Sequence, residues 1–351
     1  MQISQLYVYP IKSLRPTKLQ EALVTRHGFP YDRCFMLLKI EKDDKNGRTL
    51  KNMHVPHYPE MSLFLTDLVL PSDSESRDGK IIVTYRPPPV SEAKESRTLE
   101  VPLQPDVEGL EQLDITLHQS PTKGYNMGST YNDWFSECFG YPVILAYVGN
   151  NRRRVLGSMS PNLQNGGGGG WLSSIAGSIP YLGCGEKKED EGILTFADCA
   201  AYLVVSETSV QNVSARLPDG VEMDVTKFRP NIVVSGAETA FDEDFWGELT
   251  IGDDDSSSKV KILLTSNCVR CRSIDVDYET GKHGTGEAGQ VFKKLVKDRR
   301  VDKGAKWSPV FGRYGFLKDQ KEVLIRVGDP VEVSKRLAER TTFDWPGLGS
   351  S

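Results

Sequence analysis

The sequence predicts an α+β protein dominated by β structure, and three observations carry that expectation. Short apolar or alternating runs recur along the whole chain, each bounded by Gly, Pro, Asn or Asp. Helical periodicity is confined to a few segments, 129–139, 206–217, 290–300 and the tail from 336. The chain of 351 residues is 38% hydrophobic and 26% charged, which suffices for a buried core and suggests two domains.

In order, residues 3–9 read as a strand that ends at Pro10, a residue without a backbone donor. Residues 19–25 and 34–38 read as further strands, with Tyr31, Asp32 and Arg33 leading into the second. A polar hairpin connection spans 41–48, and strands at 61–68 and 80–85 flank a polar loop at 71–79. This first part predicts a compact sheet or barrel. The segment 129–139 begins with Ser129 or Thr130 as a helix cap, continues as an aromatic stripe, and returns to strand at 141–147. Residues 161–191 lose periodicity. They hold five consecutive glycines and a mixed-charge run, and are expected to form a mobile insertion. A phosphate-cradling role for those glycines would need the Lys-Ser/Thr of a P-loop, which is missing. A strand at 193–196, an apolar run at 201–205, a helix at 206–217, and a strand entered through Phe228-Arg229-Pro230-Asn231 follow. An acidic turn occupies 253–258.

Composition narrows the function classes. A formal net charge of -5 argues against a nucleic-acid binder, which carries a basic face. No apolar run is long enough to span a membrane. The first residues go straight into a strand, with no signal or transit pattern. Six cysteines in a chain this long do not make a disulfide framework, so a reduced, cytoplasmic protein is expected.

The chemistry-bearing stretch is 259–281. An apolar strand at 260–264 leads to Cys268 and Cys271 with Arg270 between them, and a second strand is expected at 274–276. Two thiols and a guanidinium in a tight loop between strands can present a thiolate to a soft metal, and the cation favours the deprotonated form. Two structural thiols in a turn are the alternative. A zinc site lacks its remaining ligands. His54 and His57, in a proline-rich polar loop, read as surface residues.

Six elements stand in order: YPIKS at 9–13, DR at 32–33, FRPN at 228–231, NCVRC with VDYETG at 267–281, SPVFGRY at 308–314 and VGDPV at 327–331. Together they resemble the MOSC family with its N-terminal β-barrel-like companion domain, of the mitochondrial amidoxime-reducing type. The resemblance implies an N-terminal β-barrel-like domain at 1–125, a MOSC β-barrel domain with peripheral helices at 126–335, and a tail at 336–351. It also implies a molybdenum-pterin cofactor, with the metal held by a pterin dithiolene and by the second cysteine of the pair, Cys271, which is then the catalytic residue as well. Lys12, Ser13, Arg33, Arg229 and Asn231 match cofactor-holding positions of the family, and Arg270 is placed with them. Positively charged and hydroxyl groups suit the pterin phosphate.

One departure is visible. Where the family has a hydroxyl pair after the aspartate matching Asp198, this chain has Cys199 and Ala200. The resemblance implies reduction of N-hydroxylated compounds such as amidoximes, hydroxylamines or N-oxides. Electrons would come from a b5-type cytochrome with its flavin reductase, through which the protein could associate with mitochondria. A carrier or sulfur-transfer role without redox turnover is the alternative. It resembles the MOSC part of cofactor sulfurases, which follows a pyridoxal-dependent desulfurase domain in those proteins.

Overall fold

Alternation decides the smaller sheets. Lys80–Tyr85 and Gln112–Leu117 bury every second residue, the period of a pleated strand with one face on a core. Runs without alternation, such as Tyr202–Ser206 and Trp246–Ile251, are buried along their whole length and lie inside the largest sheet. The computed structural model describes residues 1–43, 47–73, 76–89, 95–161, 192–252, 259–319 and 321–348. Among these the fold is α+β and rich in β structure, as expected.

The largest sheet has eight strands, in the order Thr17–Leu19, Gln2–Val8, Ile232–Ser235, Tyr202–Ser206, Val310–Leu317, Val260–Val269, Trp246–Ile251 and Val331–Arg336. All neighbours are antiparallel except Tyr202–Ser206 with Ile232–Ser235. The start of the chain is therefore stitched into the sheet of its second half. Leu6 lies opposite Ile232, and this register sets residues 9–13, just past the first strand, beside 228–231, just before the other. Two motifs more than 200 residues apart in sequence meet for that reason.

The first half builds a five-stranded sheet, Gly47–Asn52, Phe35–Asp43, Val143–Tyr147, Ser120–Asn126 and Gln112–Leu117, and a three-stranded one, Phe64–Val69, Lys80–Tyr85 and Arg97–Pro102. The core associated with these sheets holds Phe35, Phe64, Trp134, Phe135 and Leu145. One face of the large sheet packs on Leu6, Val204, Trp246, Ile262, Phe343 and Trp345. Its other face carries Tyr7, Tyr9, Leu203, Val233, Phe228, Cys268 and Phe311, and the candidate site lies on that side.

Several expectations are corrected. The helix at Ser129–Phe139 forms, but its N-cap is Gly128 with no side-chain cap, so neither Ser129 nor Thr130 fills that role. Gly140 ends it at φ 81°, donating to Ser136 O at 2.8 Å. The helix expected at 206–217 shortens to Glu207–Ser214, and that at 290–300 to Val291–Val296. Residues 193–196 make no strand, only a bridge between Leu194 and Arg153. The first cysteine is not in a loop, because Val260–Val269 continues as strand through Cys268. A 3-10 helix, Arg272–Asp275, replaces most of the strand expected at 274–276. The tail, as far as Leu348, is neither helical nor loose: Phe343 and Trp345 are 4% and 2% exposed, and Trp345 Nε1 donates to His118 O at 2.7 Å. The glycine-rich insertion and the acidic turn at 253–258 lie outside the described residues, 161 and 192 onward aside.

Candidate functional site

The site is built around Tyr9. Asp32 is buried and accepts the Tyr9 N–H at 2.8 Å through Oδ1. Its other oxygen takes Nη1 of Arg33. The Arg33 backbone docks on the same segment, its N–H donating to Tyr9 O at 2.7 Å. Arg33 then lies over the Tyr9 ring at 4.4 Å, and Arg229 lies over that ring at 4.3 Å. Two guanidiniums are thus held against one aromatic ring, an arrangement that the ring quadrupole favours and their like charges oppose.

Local backbone geometry presents these side chains at a cost. Ser13, Arg33 and Arg229 have φ of 71°, 49° and 60°, the left-handed region that non-glycine residues avoid. Asp224 caps a short 3-10 helix, Val225–Phe228, by accepting Thr226 N–H at 2.8 Å, and Arg229 terminates it. Strain of this kind persists where surrounding structure over-determines it and gathers at functional sites. Asn231 supplies part of that over-determination. Its Oδ1 accepts from Arg33 at 3.0 Å and from Leu203 N–H at 3.2 Å, and its Nδ2 donates to Tyr7 O at 3.2 Å.

A cavity of about 90 Å³, partly open to solvent, lies beside this group. Its walls include Arg33, Asp198, Phe228, Arg229, Asn231, Arg270 and Cys271. Three guanidiniums face one carboxylate there. Arg229 Nη2 and Arg270 Nε are buried with no hydrogen-bond partner among the described residues. Burial, partly offset by Tyr9, and the like charge of Arg33 lower the Arg229 pKa. An anion placed among these groups would satisfy the spare donors and relieve the repulsion.

The two cysteines separate in role. Cys268 is 2% exposed, and Arg270 Nη1 donates to its sulfur at 2.9 Å. Burial still raises the Cys268 thiol pKa, with Arg270 and Tyr314 opposing. Cys271 is exposed at the start of the 3-10 helix, and its thiol donates to Ser273 Oγ at 3.2 Å. The cation expected to favour a thiolate in this motif is therefore bonded to the buried sulfur rather than to the exposed one.

The cavity brings together Arg33, Arg229, Asn231, Arg270 and Cys271. It does not bring in Lys12 or Ser13 as wall residues. Lys12 is buried, donates to Phe196 O at 3.0 Å, and pairs with Asp198. Burial lowers its pKa, and Asp198 works against that. Burial likewise opposes ionisation of Asp198, but Lys12 and His118 outweigh it and hold the carboxyl well below the usual carboxylate range. Ser13 sits in the adjoining turn, where Leu14 N–H donates to Ile11 O at 3.2 Å. His57 is exposed, as expected, but His54 is not a plain surface residue. Its ring lies 5.7 Å from that of His118, and burial, with Lys12 nearby, pushes its pKa down to about 3. Among the described residues no group of His, Cys, Asp and Glu is placed to hold a metal ion by itself. No described helix is long and apolar enough to cross a membrane.

Sequence reasoning left out Tyr9, Asp32, Phe228, Asp198 and Tyr314 as site residues. All but Asp198 belong to the ordered motifs, so the signal for them was present. His118 lies outside every motif.

Comparison with known proteins places these motifs within two family-model matches. The family model of the MOSC N-terminal beta barrel domain matches residues 1–142, and that of the MOSC domain matches 191–332. A relative from Rattus norvegicus, mitochondrial amidoxime reducing component 2, is 38% identical over 139 residues, which are 39% of this chain and 38% of the relative. That alignment thus spans well under half of the rat protein. Mitochondrial amidoxime-reducing component 1 of Mus musculus is 26% identical over 334 residues, 94% of this chain and 81% of the relative. Molybdenum cofactor sulfurase of Homo sapiens is 23% identical over 309 residues, 85% of this chain and 29% of the relative.

Proposed function

Because the chain belongs to the MOSC family, joining a MOSC N-terminal beta barrel domain to a MOSC domain, we propose that it binds a molybdenum-pterin cofactor and reduces N-hydroxylated compounds. Amidoximes, hydroxylamines and N-oxides are the substrate class. The observation that carries this reading is the exposed Cys271 thiol on the wall of a cavity lined by Arg33, Arg229 and Arg270.

The residues fit the group. Cys271 would be the protein's ligand to the metal, a soft donor for a metal already bound by sulfur. Arg229 and Arg270 have spare buried donors for an anionic pterin. Arg33 would act with them, and Asn231 would hold Arg33 in place. Lys12 would fix Asp198, and Ser13 would offer its hydroxyl from the neighbouring turn. The cofactor, when bound, supplies two-electron redox chemistry; the chain supplies binding, orientation and protons.

The overall reaction takes two electrons and two protons, breaks the N–O bond, and releases the hydroxyl as water. Electrons are proposed to come one at a time from a b5-type cytochrome served by its flavin reductase. A cytoplasmic location, with mitochondrial association through such partners, is part of the same proposal, as is the division of the chain near residue 125. The sulfurase relative favours a second reading, a carrier or sulfur-transfer module that holds the cofactor without turnover.

Turnover separates the two. Protein purified from a host that makes the cofactor is given a reduced viologen dye and a panel of amidoximes and hydroxylamines. Oxidation of the dye with formation of the amidine or amine is expected. Full molybdenum loading without turnover across the panel would favour the carrier reading.

A further inference from the structure

His118 stands in a position that the hairpin around it does not favour. It and Gln119 form the two-residue turn between Gln112–Leu117 and Ser120–Asn126, with φ of 49° and 63°. Such turns are ordinarily filled by Asn-Gly or Asp-Gly, because both residues need positive φ. Here the structure holds a histidine there from several sides. Trp345 Nε1 donates to His118 O at 2.7 Å. The fully buried Arg153 donates to Leu117 O at 3.1 Å, to Thr195 O at 3.0 Å and to Asp198 O at 3.0 Å. One guanidinium thus fastens the residue before His118 to the backbone of Asp198.

The result is a contact across the molecule. His118 Nε2 lies 3.1 Å from Asp198 Oδ1. Lys12 Nζ pairs with that same oxygen. Among the described residues both bonds fall on Oδ1 and leave Oδ2 without a protein partner. Asp198 lines the cavity. The side chains of His118 and Asp198 are 21% and 51% exposed, so the pair joins solvent to the cavity wall. His54, held neutral by burial, packs its ring beside His118 and adds no competing charge.

We propose that His118 and Asp198 are the proton path into the cavity. The His118 imidazolium gives its Nε2 proton to Asp198, Asp198 passes it to the departing hydroxyl or to the nitrogen, and His118 recovers a proton from water. Two passages supply the two protons of each turnover, while the one-electron haem donor supplies the two electrons. Lys12 keeps Asp198 in place and, by its charge, returns the carboxylate to its ionised form. His118 is in these terms a positioning and relay residue that acts through Asp198. The proposal rests on the reductase reading above.

His118→Gln keeps a hydrogen-bond donor in reach of Asp198 but cannot relay a proton, and His118→Asn suits the backbone better. Both variants leave Asp198, Lys12, Arg153 and His54 unchanged around the turn. Each variant should keep wild-type molybdenum content and lose turnover on the order of 100-fold. A second readout needs no cofactor. Nitrogen-15 spectra of the cofactor-free protein should show His118 protonated at Nε2, and Asp198→Asn should abolish that preference.

A wild-type rate in both histidine variants would overturn the relay, as would an Nε2 without its proton in the wild-type spectra. Absence of turnover in wild type would instead overturn the reductase reading, and the spectra would still decide whether the pair is coupled.

Discussion

Arg270 donates to the sulfur of Cys268 at 2.9 Å, and the thiol three residues on, Cys271, bonds to Ser273 instead. One motif therefore holds a buried, cation-paired sulfur and an exposed one. The pairing locks Arg270 against the strand that carries Cys268, while its Nε is buried without a partner among the described residues. Under the proposed function only the exposed sulfur would be free to serve as a ligand.

Replacing the two cysteines should consequently give different losses. Cys271→Ala should keep the fold and lose turnover altogether. Cys268→Ala should keep much of the cofactor and lose stability, because it removes a buried group and the partner of a buried guanidinium. A cost of about 1–3 kcal/mol is expected for that. Thermal unfolding and reduced-dye turnover, measured on both variants, check the split. Equal turnover losses would contradict it.

Glu243 should make stability depend on pH. Ser209 Oγ donates to its Oε2 at 2.7 Å, while Oε1 is buried without a partner among the described residues. Burial pushes its pKa up to about 7 from an ordinary 4.5. The unfolded chain ionises first as pH rises, so the folded state binds more protons between these values. Stability is then full below about pH 4.5 and is lost as pH rises to about 7, by on the order of 3 kcal/mol. Glu243→Gln keeps the shape of the protonated acid. It should flatten the fall in melting temperature over that window, and an unchanged slope in the variant would contradict this.

Trp345 should matter to both stability and turnover. Its ring is 2% exposed in the core under the large sheet, and its Nε1 bond holds His118. Trp345→Ala should cost about 3–5 kcal/mol and lower turnover beyond what thermal destabilisation explains, since the His118 turn loses a support. Denaturant unfolding alongside turnover at a temperature far below melting checks both parts.

Much of the site was legible because its residues travel in short motifs. YPIKS and FRPN each carry a turn whose left-handed residue, Ser13 or Arg229, is local in origin. Their meeting was not legible, since it depends on Leu6 pairing with Ile232, a register set by the whole sheet. Direction was also hidden. Sequence placed Arg270 between the thiols but could not say that it would turn to Cys268, because that follows from strand continuing through 268. Apolar runs such as 80–85 became strands, yet 193–196 made only a bridge and 274–276 became mostly 3-10 helix, with Phe292 N–H donating to Asp275 at 2.8 Å and holding it in place. The tail looked helical by pattern, but Phe343 and Trp345 are two apart and bury together, which extended chain permits and a helix does not. His118 had no sequence signal at all. Its partner Asp198 is 80 residues away and reaches it only through Arg153 and the hairpin turn.

The most direct measurement is elemental analysis of molybdenum in freshly purified protein from a host that overproduces the cofactor, with fluorescence of the oxidised pterin on the same sample. Near-stoichiometric molybdenum and a matching pterin signal are predicted for wild type, with both lowered in Arg229→Ala. Protein that is folded and carries neither would contradict the central claim and leave the Arg33, Arg229 and Arg270 cavity to some other anion.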